Sequence, residues 1–345
     1  MALDRQIVRA PDFPLVDWLN APEPPALAGL RGRSVLVDIW DFTCINCLRT
    51  LPALRDWHER YQQAGLAVLG VHTPEFPFAH DPRHVQAAVG RLGIRWPVAL
   101  DNDQVIWTAF ANHAWPSIYL IDADGYIRFR HVGEGGYPHI ELAVRALLAE
   151  FGQDPSALPP FGSGGAQEDG EGVVCLPATP ELQTESLGNG PIEGDKSRSL
   201  TLPHDRVEGS FYLDGEWREL DRGLSLVSKA GEAVLPFRAS AVHAVLSPFP
   251  GAEVASQPEP VFVEALIDGV PVAAGRYGQD LFHRQGSTWL RVDDPRLYDI
   301  AVGLEPGPHE LRLRCSSPGW SIYAFTFQAS CFGSSDSHSD SLPAG

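Results

Sequence analysis

The sequence predicts an α/β domain followed by an all-β sandwich, and three observations carry this prediction. Residues 34–151 alternate short apolar runs with helical periodicity, whereas residues 206–332 contain only short alternating segments separated by turn pairs. Residues 153–205 are rich in Gly, Pro, Ser and acidic residues, which is typical of a linker. The predicted domains are therefore residues 1–152 and 206–332, followed by a polar, disordered tail over residues 333–345.

The composition is that of a globular protein with an acidic surface. The 345-residue chain is 44% hydrophobic and 20% charged, and 44 acidic against 26 basic residues give a net charge of −18. A surface of this sign repels phosphate backbones and anionic lipids, so no nucleic-acid partner is predicted. The five cysteines are too few for a disulfide scaffold.

The N-terminal sequence predicts a cytoplasmic location. The opening stretch MALDRQIVRAPDFPLV is interrupted by charged residues and has no apolar core of a signal peptide. No run approaches the roughly 18 apolar residues of a membrane span. An extracytoplasmic location is the alternative if the chain is a piece of a longer protein.

Apolar, β-branched runs in the first domain predict strands that are buried on both faces. Helical segments separate the early runs, so the strands that they join are expected to be parallel. Asp81 and Pro82 supply an N-cap and a proline at the first helical position, and Ala123–Gly125 supply the turn of a late antiparallel hairpin. The predicted order is strand Ser34–Trp40, helix Cys44–Gln63, strand Leu66–Val71, helix Asp81–Leu92, strand Pro97–Leu100, helix Asp103–Phe110, strands Ser117–Asp122 and Tyr126–Val132, and helix His139–Phe151.

The second domain is predicted to be a β-sandwich or jelly roll because its segments are short and end at turn pairs. These turn pairs are Asp214-Gly215, Asp268-Gly269 and Pro318-Gly319. The predicted strands are Ser210–Leu213, Leu224–Val227, Ala233–Phe237, Val242–Leu246, Val261–Ile267, Thr288–Val292, Tyr298–Val302, Glu310–Arg314 and Ser321–Phe327.

The stretch TCINCL, residues 43–48, places two cysteines just after the first buried strand. A structural zinc site needs four ligands, and no second Cys-x-x-Cys pair is present. The other cysteines, Cys175, Cys315 and Cys331, are solitary and lie beyond the first domain, so no metal and no cofactor are predicted and no bridge is assigned to them. Core packing by Cys44 and Cys47 is the remaining structural alternative.

The position of the pair favours a redox function. Cys44 is predicted at the N-terminus of a helix, where free N–H groups and the helix dipole favour a thiolate. Cys47 falls one turn into that helix, close enough to attack a mixed disulfide formed at Cys44. The prediction is that Cys44 is the nucleophile, Cys47 is the resolving thiol, and the two form a redox-active disulfide.

Two segments resemble the thioredoxin superfamily: VLVDIWDFTCINCLRTLP, residues 35–52, and HAWPSIYLID, residues 113–122. The resemblance implies that Asp38 is a buried acid beneath the cysteines and that Trp40 is a packing wall. It also implies that the Trp115-Pro116 bond is cis and faces the cysteines, where Pro116 keeps metals away from the sulfurs.

A narrower resemblance concerns GVHTPEFPF, residues 70–78, which is similar to redoxin-type reductases of cytochrome maturation. It implies that Glu75 lies near the cysteines. Together with GSFYLDGEW, which resembles a carbohydrate-module-like β-sandwich, the chain resembles the C-terminal part of DipZ-type proteins, and its first domain also resembles that of NHL-repeat proteins. The chain departs from thioredoxin at Thr43 and at Ile45-Asn46, so analogy does not fix the redox potential.

These observations predict a thiol-disulfide oxidoreductase, with disulfide reduction as the favoured direction. Its partners would be a disulfide-bearing protein or small thiol substrate and an upstream electron donor. Asp38 is the candidate base for Cys47, with Glu75 as the second choice. The Trp115 backbone would pair with an extended substrate, and the Trp115 ring would contact apolar substrate surface or cap the core.

Two alternatives belong to other functional classes. A thiol-dependent peroxidase would need a Pro-x-x-x-Thr-x-x-Cys pattern, which neither cysteine of the pair has. A binding protein would use the β-sandwich for a glycan or a protein partner, although such aromatic residues are more often core. The aromatic residues concerned are Phe211, Tyr212, Trp217, Phe237, Phe282, Trp289, Tyr298, Trp320, Tyr323, Phe325 and Phe327.

Overall fold

A computed structural model describes most of the chain and divides it into two units. The first unit comprises residues 1–75 and 79–169, and the second comprises residues 76–78 and 170–345. The described residues are 3–5, 7–153, 174–192, 197–249 and 259–332, so much of the predicted linker and the whole predicted tail lie outside them.

In its described residues the first unit is a mixed six-stranded sheet with four α-helices, which confirms the predicted α/β class. The elements are β1 Trp18–Leu19, β2 Ser34–Trp40, α1 Ile45–Tyr61, β3 Leu66–His72, α2 Pro82–Arg91, β4 Val98–Leu100, α3 Val105–Ala109, β5 Ser117–Ile121, β6 Ile127–Val132 and α4 Tyr137–Glu150. Strand β2 pairs in parallel with β3, and β3 with β4, whereas β5 pairs antiparallel with both β2 and β6. The sheet order is β1-β4-β3-β2-β5-β6.

Helix α2 begins as predicted, whereas strand β1 is an element that the sequence did not indicate. Asp81 caps α2 by accepting a hydrogen bond from the Arg83 N–H at 2.9 Å, with Pro82 at the first helical position, as its sequence predicts. Strand β1 was not predicted, because two residues are too short to show a period; it pairs antiparallel with β4.

The alternation of side chains along β2 points Asp38 towards the cysteine helix. Val35, Val37 and Ile39 lie in the core on one side of the sheet, together with residues of α3. Because neighbouring strand residues face opposite sides, Asp38 and Trp40 face the other side. There α1 packs on β3 and α4 packs on β2, so Asp38 lies beneath the start of α1.

The second unit is all β in its described residues, as predicted, and a large cluster of buried residues forms a core within it. The strands are β7 Val174–Cys175, β8 Arg198–Leu200, β9 Tyr212–Leu220, β10 Gly223–Leu226, β11 Gly231–Arg238, β12 Ala241–Ser247, β13 Val261–Ile267, β14 Val270–Pro271, β15 Leu281–Arg284, β16 Ser287–Val292, β17 Arg296–Ala301, β18 Pro308–Cys315, β19 Ser321–Gln328 and β20 Cys331–Phe332. Strand β9 belongs to both halves of the sheet: residues 212–214 pair with β11, and residues 217–220 pair with β10.

One predicted turn is instead a bend within β9. Asp214 and Gly215 do not end a strand; the strand continues from one half of the sheet into the other. Gly215 has a φ of +107°, which a residue with a side chain rarely adopts. Gly215 therefore allows β9 to bend where the strand passes from one half of the sheet to the other, and the Asp-Gly pair that predicted a turn belongs to this bend.

The ordered second unit starts earlier than the predicted boundary at residue 206. Leu182, Leu187, Ile192 and Leu200 lie in its core, and β8 pairs with β9. These apolar residues are separated by Gly, Pro and polar residues, so they show no strand or helix period. The composition of this segment therefore predicted a linker, although its apolar residues pack in the core of the second unit.

The solitary cysteines separate into one bridge and one free thiol. Cys175 and Cys331 form a disulfide that joins β7 to β20, and Cys315 is a buried free thiol. Spacing alone did not indicate this pairing, because the two residues are 156 positions apart.

The sandwich aromatic residues are mostly core. Trp217 is fully buried, with its Nε1 donating to the Asp214 carbonyl at 2.9 Å, so it offers no stacking surface. Trp289 and Phe282 are half-buried cross-strand partners on β16 and β15. The other buried members are Phe211, Tyr212, Phe237, Tyr298, Trp320, Tyr323 and Phe325, whereas Phe327 is half-buried against the core.

Among the described residues, no helix is long and apolar enough to cross a membrane.

Candidate active site

Cys44 and Cys47 differ in exposure at the start of α1. Cys44 is the N-cap residue and is half-buried, whereas Cys47 is buried, and both are free thiols. The Cys47 N–H donates to the Cys44 sulfur at 3.2 Å, and the Cys44 N–H donates to the Asp41 carbonyl at 3.3 Å. A helix-terminal amide therefore points at the accessible sulfur, where it stabilises negative charge.

The buried thiol is held in its protonated form. Burial raises the pKa of Cys47 well above its usual range, and the hydrogen bond and charge of Cys44 raise it further. A hydrogen bond with the Asp41 backbone lowers the pKa of Cys47, and the charge of Asp38 raises it by a smaller amount. Cys47 therefore needs a base before it can attack a sulfur.

Asp38 is a buried acid whose charge acts on Cys47. It is 2% exposed, and its Oδ1 accepts no hydrogen bond from the described part of the chain. Burial raises its pKa from 3.8 to about 8. A carboxyl group that titrates near neutral pH beside a protonated thiol has the properties of a general base.

The backbone of Glu75 contacts the cysteine loop, residues 41–44, which connects β2 to α1. Its N–H donates to Asp41 Oδ2 at 3.0 Å, and its side chain is half-buried. The segment after β3 and the segment after β2 are thus joined at Asp41, one residue beyond β2.

Trp115 and Pro116 lie at the end of the sheet where β2 leads to the cysteines. The peptide bond between them is cis, and the next residue, Ser117, pairs with Ile39 of β2. Pro116 is buried, whereas Trp115 is half-buried, with its Nε1 donating to the Thr73 carbonyl at 3.1 Å. The Trp115 ring lies 4.4 Å from that of Trp107, a partner that the sequence did not indicate.

Trp40 is a core residue with 1% exposure. Its ring meets the His72 ring edge-on, with centroids 5.5 Å apart. This arrangement fits the packing role that its position in the motif implies.

The structure adds two residues that sequence reasoning missed, Asp41 and His72. Both are fully buried, and His72 Nε2 lies 3.4 Å from Asp41 Oδ2. Burial by itself raises the pKa of Asp41, but His72 and hydrogen bonds from Thr43 outweigh it, so the pKa is lowered. The sequence held one indication of this site, namely that the charged residue Asp41 directly follows the mostly apolar strand β2.

No metal site accompanies this arrangement in the part of the chain that the structure describes. There, no group of three or more His, Cys, Asp or Glu side chains is arranged to hold a metal ion.

Two family models match the chain, one in each unit. Residues 8–143 match the Redoxin family, and residues 181–327 match a family described as a thioredoxin-like C-terminal domain. The second match begins before residue 206, in agreement with the leucines that pack in that core.

Curated relatives match parts of the chain. DipZ of Mycobacterium tuberculosis is 38% identical over 216 residues, which cover 60% of this chain and 30% of DipZ. Human NHL repeat-containing protein 2 is 32% identical over 149 residues, or 42% of this chain and 20% of that protein. The protein named thiol-disulfide oxidoreductase ResA, from Bacillus anthracis, is 26% identical over 138 residues, or 40% of this chain and 76% of ResA. The chain thus spans about 30% of the length of the DipZ proteins that it matches.

Proposed function

The chain belongs to the thioredoxin superfamily, and on that basis we propose that it is a thiol-disulfide oxidoreductase that reduces disulfide bonds. The observation that carries the proposal is the asymmetry of the cysteine pair. Cys44 is accessible at a helix N-terminus, and Cys47 is buried one turn later with a raised pKa. This asymmetry supports a first attack by Cys44 and a second attack by Cys47.

Reduction proceeds in two exchange steps. The Cys44 thiolate attacks one sulfur of the substrate disulfide, forms a mixed disulfide and releases the other substrate sulfur as a thiolate, which takes up a proton. Asp38 then accepts the proton of Cys47, and the Cys47 thiolate attacks the Cys44 sulfur. The second substrate thiolate leaves and is protonated, and the Cys44–Cys47 disulfide forms. The substrate has gained two electrons and two protons, which an upstream dithiol donor must return to the protein.

The substrate side of the site is proposed to be the segment around Trp115 and Pro116. The half-buried rings of Trp115 and Trp107 offer an apolar wall near the cysteine loop. An extended polypeptide beside the Trp115 backbone would present its disulfide to Cys44. A protein disulfide should therefore be reduced faster than glutathione disulfide, and equal second-order rates for both would contradict this part of the proposal.

A redox titration of the cysteine pair tests the proposal. The full chain is equilibrated in graded dithiothreitol or glutathione buffers, acid-quenched, alkylated and mapped by peptide mass spectrometry. We expect Cys44 and Cys47 to form one two-electron couple, for which about 30 mV changes the equilibrium tenfold. Cys315 serves as the internal control, because it is buried in the second unit and should stay reduced throughout. A pair that never joins in any buffer would rule out the reaction.

The Cys175–Cys331 bridge bears on the compartment in which this chemistry runs. Both cysteines are exposed, and cytosolic thiol pools keep accessible cysteines reduced, whereas disulfides persist in oxidising compartments. The bridge therefore favours the extracytoplasmic alternative over the cytoplasmic location expected from the N-terminal sequence. We expect rapid acid quenching and thiol labelling of native cells to find this pair oxidised; a fully reduced pair would restore the cytoplasmic prediction.

A further inference from the structure

Asp41 is a fully buried carboxylate that neither exchange step uses. Its Oδ1 accepts the Thr43 N–H at 2.6 Å and also the Thr43 hydroxyl, while its Oδ2 accepts the Glu75 N–H at 3.0 Å. Its own carbonyl accepts the Cys44 N–H, and its backbone contacts the Cys47 thiol. One residue therefore connects both cysteines and the Glu75 segment.

His72 supports this carboxylate from the neighbouring strand. It is the last residue of β3, and its ring stacks on Phe42 at 5.3 Å while the Trp40 ring meets it edge-on. Its Nε2 lies 3.4 Å from Asp41 Oδ2. Rings on two sides fix the imidazole, so the ends of β2 and β3 are held together at the base of the cysteine loop.

The two buried acids of this region have opposite surroundings. Asp38 Oδ1 has no hydrogen-bond partner among the described residues, and burial keeps that acid protonated near neutral pH. Asp41, three residues later, is surrounded by donors that keep it ionised. Environments that shift the pKa values of two carboxyl groups in opposite directions give them different roles: one can exchange a proton and the other holds a fixed charge.

We propose that Asp41 is a positioning residue of the redox site, whose carboxylate, held against His72, fixes the Thr43 and Glu75 amides and so keeps the Cys44 sulfur at the N-terminus of α1. The inference rests on the proposed function, because it concerns the same sulfur. Hydrogen bonds to a buried charge are stronger than neutral ones, and leaving a buried donor unpaired is costly. Loss of this carboxylate should therefore loosen the geometry that makes Cys44 reactive.

Loss of the Asp41 carboxylate should slow the alkylation of Cys44 and move the pH dependence of that alkylation to higher pH. In Asp41→Asn the charge is gone, and the amide can accept from only one of the two segments while its NH₂ group faces the other. We expect iodoacetamide to alkylate Cys44 about tenfold more slowly at pH 7, which corresponds to the loss of one charge-assisted hydrogen bond. The alkylation profile should also move to higher pH, a change that a purely structural role would not produce in folded protein.

The test compares Asp41→Asn with Asp103→Asn, which removes an exposed carboxylate from the same unit. Circular dichroism and thermal melts select a temperature at which all proteins are folded; the alkylation profile and the midpoint potential of the pair are then measured. The control should match the unsubstituted protein. A folded Asp41→Asn protein with an unchanged profile and potential would overturn the inference, whereas failure of the unsubstituted protein to form the Cys44–Cys47 disulfide would overturn the proposed function instead.

A second variant keeps the test decisive if Asp41→Asn does not fold. Thr43→Ala removes the hydroxyl that bonds to Asp41 and leaves the carboxylate and the Thr43 N–H in place. We expect a smaller shift of the alkylation profile in the same direction. An unchanged profile in folded Thr43→Ala protein would count against the positioning role.

Discussion

Replacing Cys44 with Ser is expected to abolish disulfide reduction, whereas replacing Cys47 with Ser should preserve the first attack and trap its product. The thiolate is the attacking species, and a hydroxyl cannot replace it at neutral pH. We expect the Cys44→Ser protein to lose more than about a thousandfold in turnover, the scale seen when a nucleophile is removed. The Cys47→Ser protein should instead accumulate a mixed disulfide at Cys44, because no second thiol resolves it.

Intact-mass measurement after incubation with a disulfide substrate distinguishes the two variants. The Cys47→Ser protein should gain the mass of one substrate thiol, and peptide mapping should place the adduct on Cys44. Cys315→Ser is the matched control, since that buried thiol lies in the second unit and should leave turnover unchanged. An adduct on Cys47 in the Cys44→Ser protein, together with no adduct on Cys44 in the Cys47→Ser protein, would reverse the assigned roles.

The cysteine pair and the order of the first unit could be predicted because their determinants are local. A buried strand, a short loop and a helix are consecutive in the chain, so the position of Cys44 at the start of α1 follows from the pattern of residues 34–63. The pairing of Asp41 with His72 could not be predicted in this way. These residues are brought together by the parallel register of β2 and β3, in which Trp40 pairs with His72.

The same distinction holds in the second unit. Most of its strands were predicted, because each short strand alternates within itself. The disulfide between Cys175 and Cys331 and the packing of Leu182 and Leu187 depend on contacts between distant segments. Such contacts leave no period in the sequence, which explains why a core segment was assigned to the linker.

Asp38 connects the stability of the fold to its chemistry, and replacing it with Asn is expected to stabilise the protein at high pH while slowing the resolving step. Burial raises the pKa of Asp38 from 3.8 to about 8, so the folded state holds a proton that the unfolded state releases. Between these two values, stability of the unsubstituted protein falls as pH rises, and above pH 8 the fall ends because the folded state also ionises. Asn does not titrate, so its relative advantage grows across this window to at most roughly 6 kcal/mol.

Urea unfolding of both proteins from pH 4.5 to pH 9 measures this difference. The two free energies of unfolding should nearly coincide at the acidic end, where a neutral carboxyl and an amide are close in size and polarity, and diverge towards pH 8. Asp103→Asn should show no such divergence, because that carboxylate is exposed. A difference that is constant with pH would mean that Asp38 does not hold its proton in the folded state.

The kinetic counterpart follows from the same proton. In the unsubstituted protein, the rate at which Cys47 resolves the mixed disulfide should rise with pH up to about 8, as Asp38 becomes ionised. In Asp38→Asn, Cys47 must lose its proton to solvent, so the levelling near pH 8 should vanish and the step at pH 7 should slow by about a hundredfold, the lower range for loss of a general base, while the first attack by Cys44 changes little. Stopped-flow measurement of both steps separates them, and equal slowing of the two would refute the base role. A variant that is more stable at pH 8 yet resolves more slowly would show that the unfavourable burial of Asp38 is what gives the site a base that titrates near neutral pH.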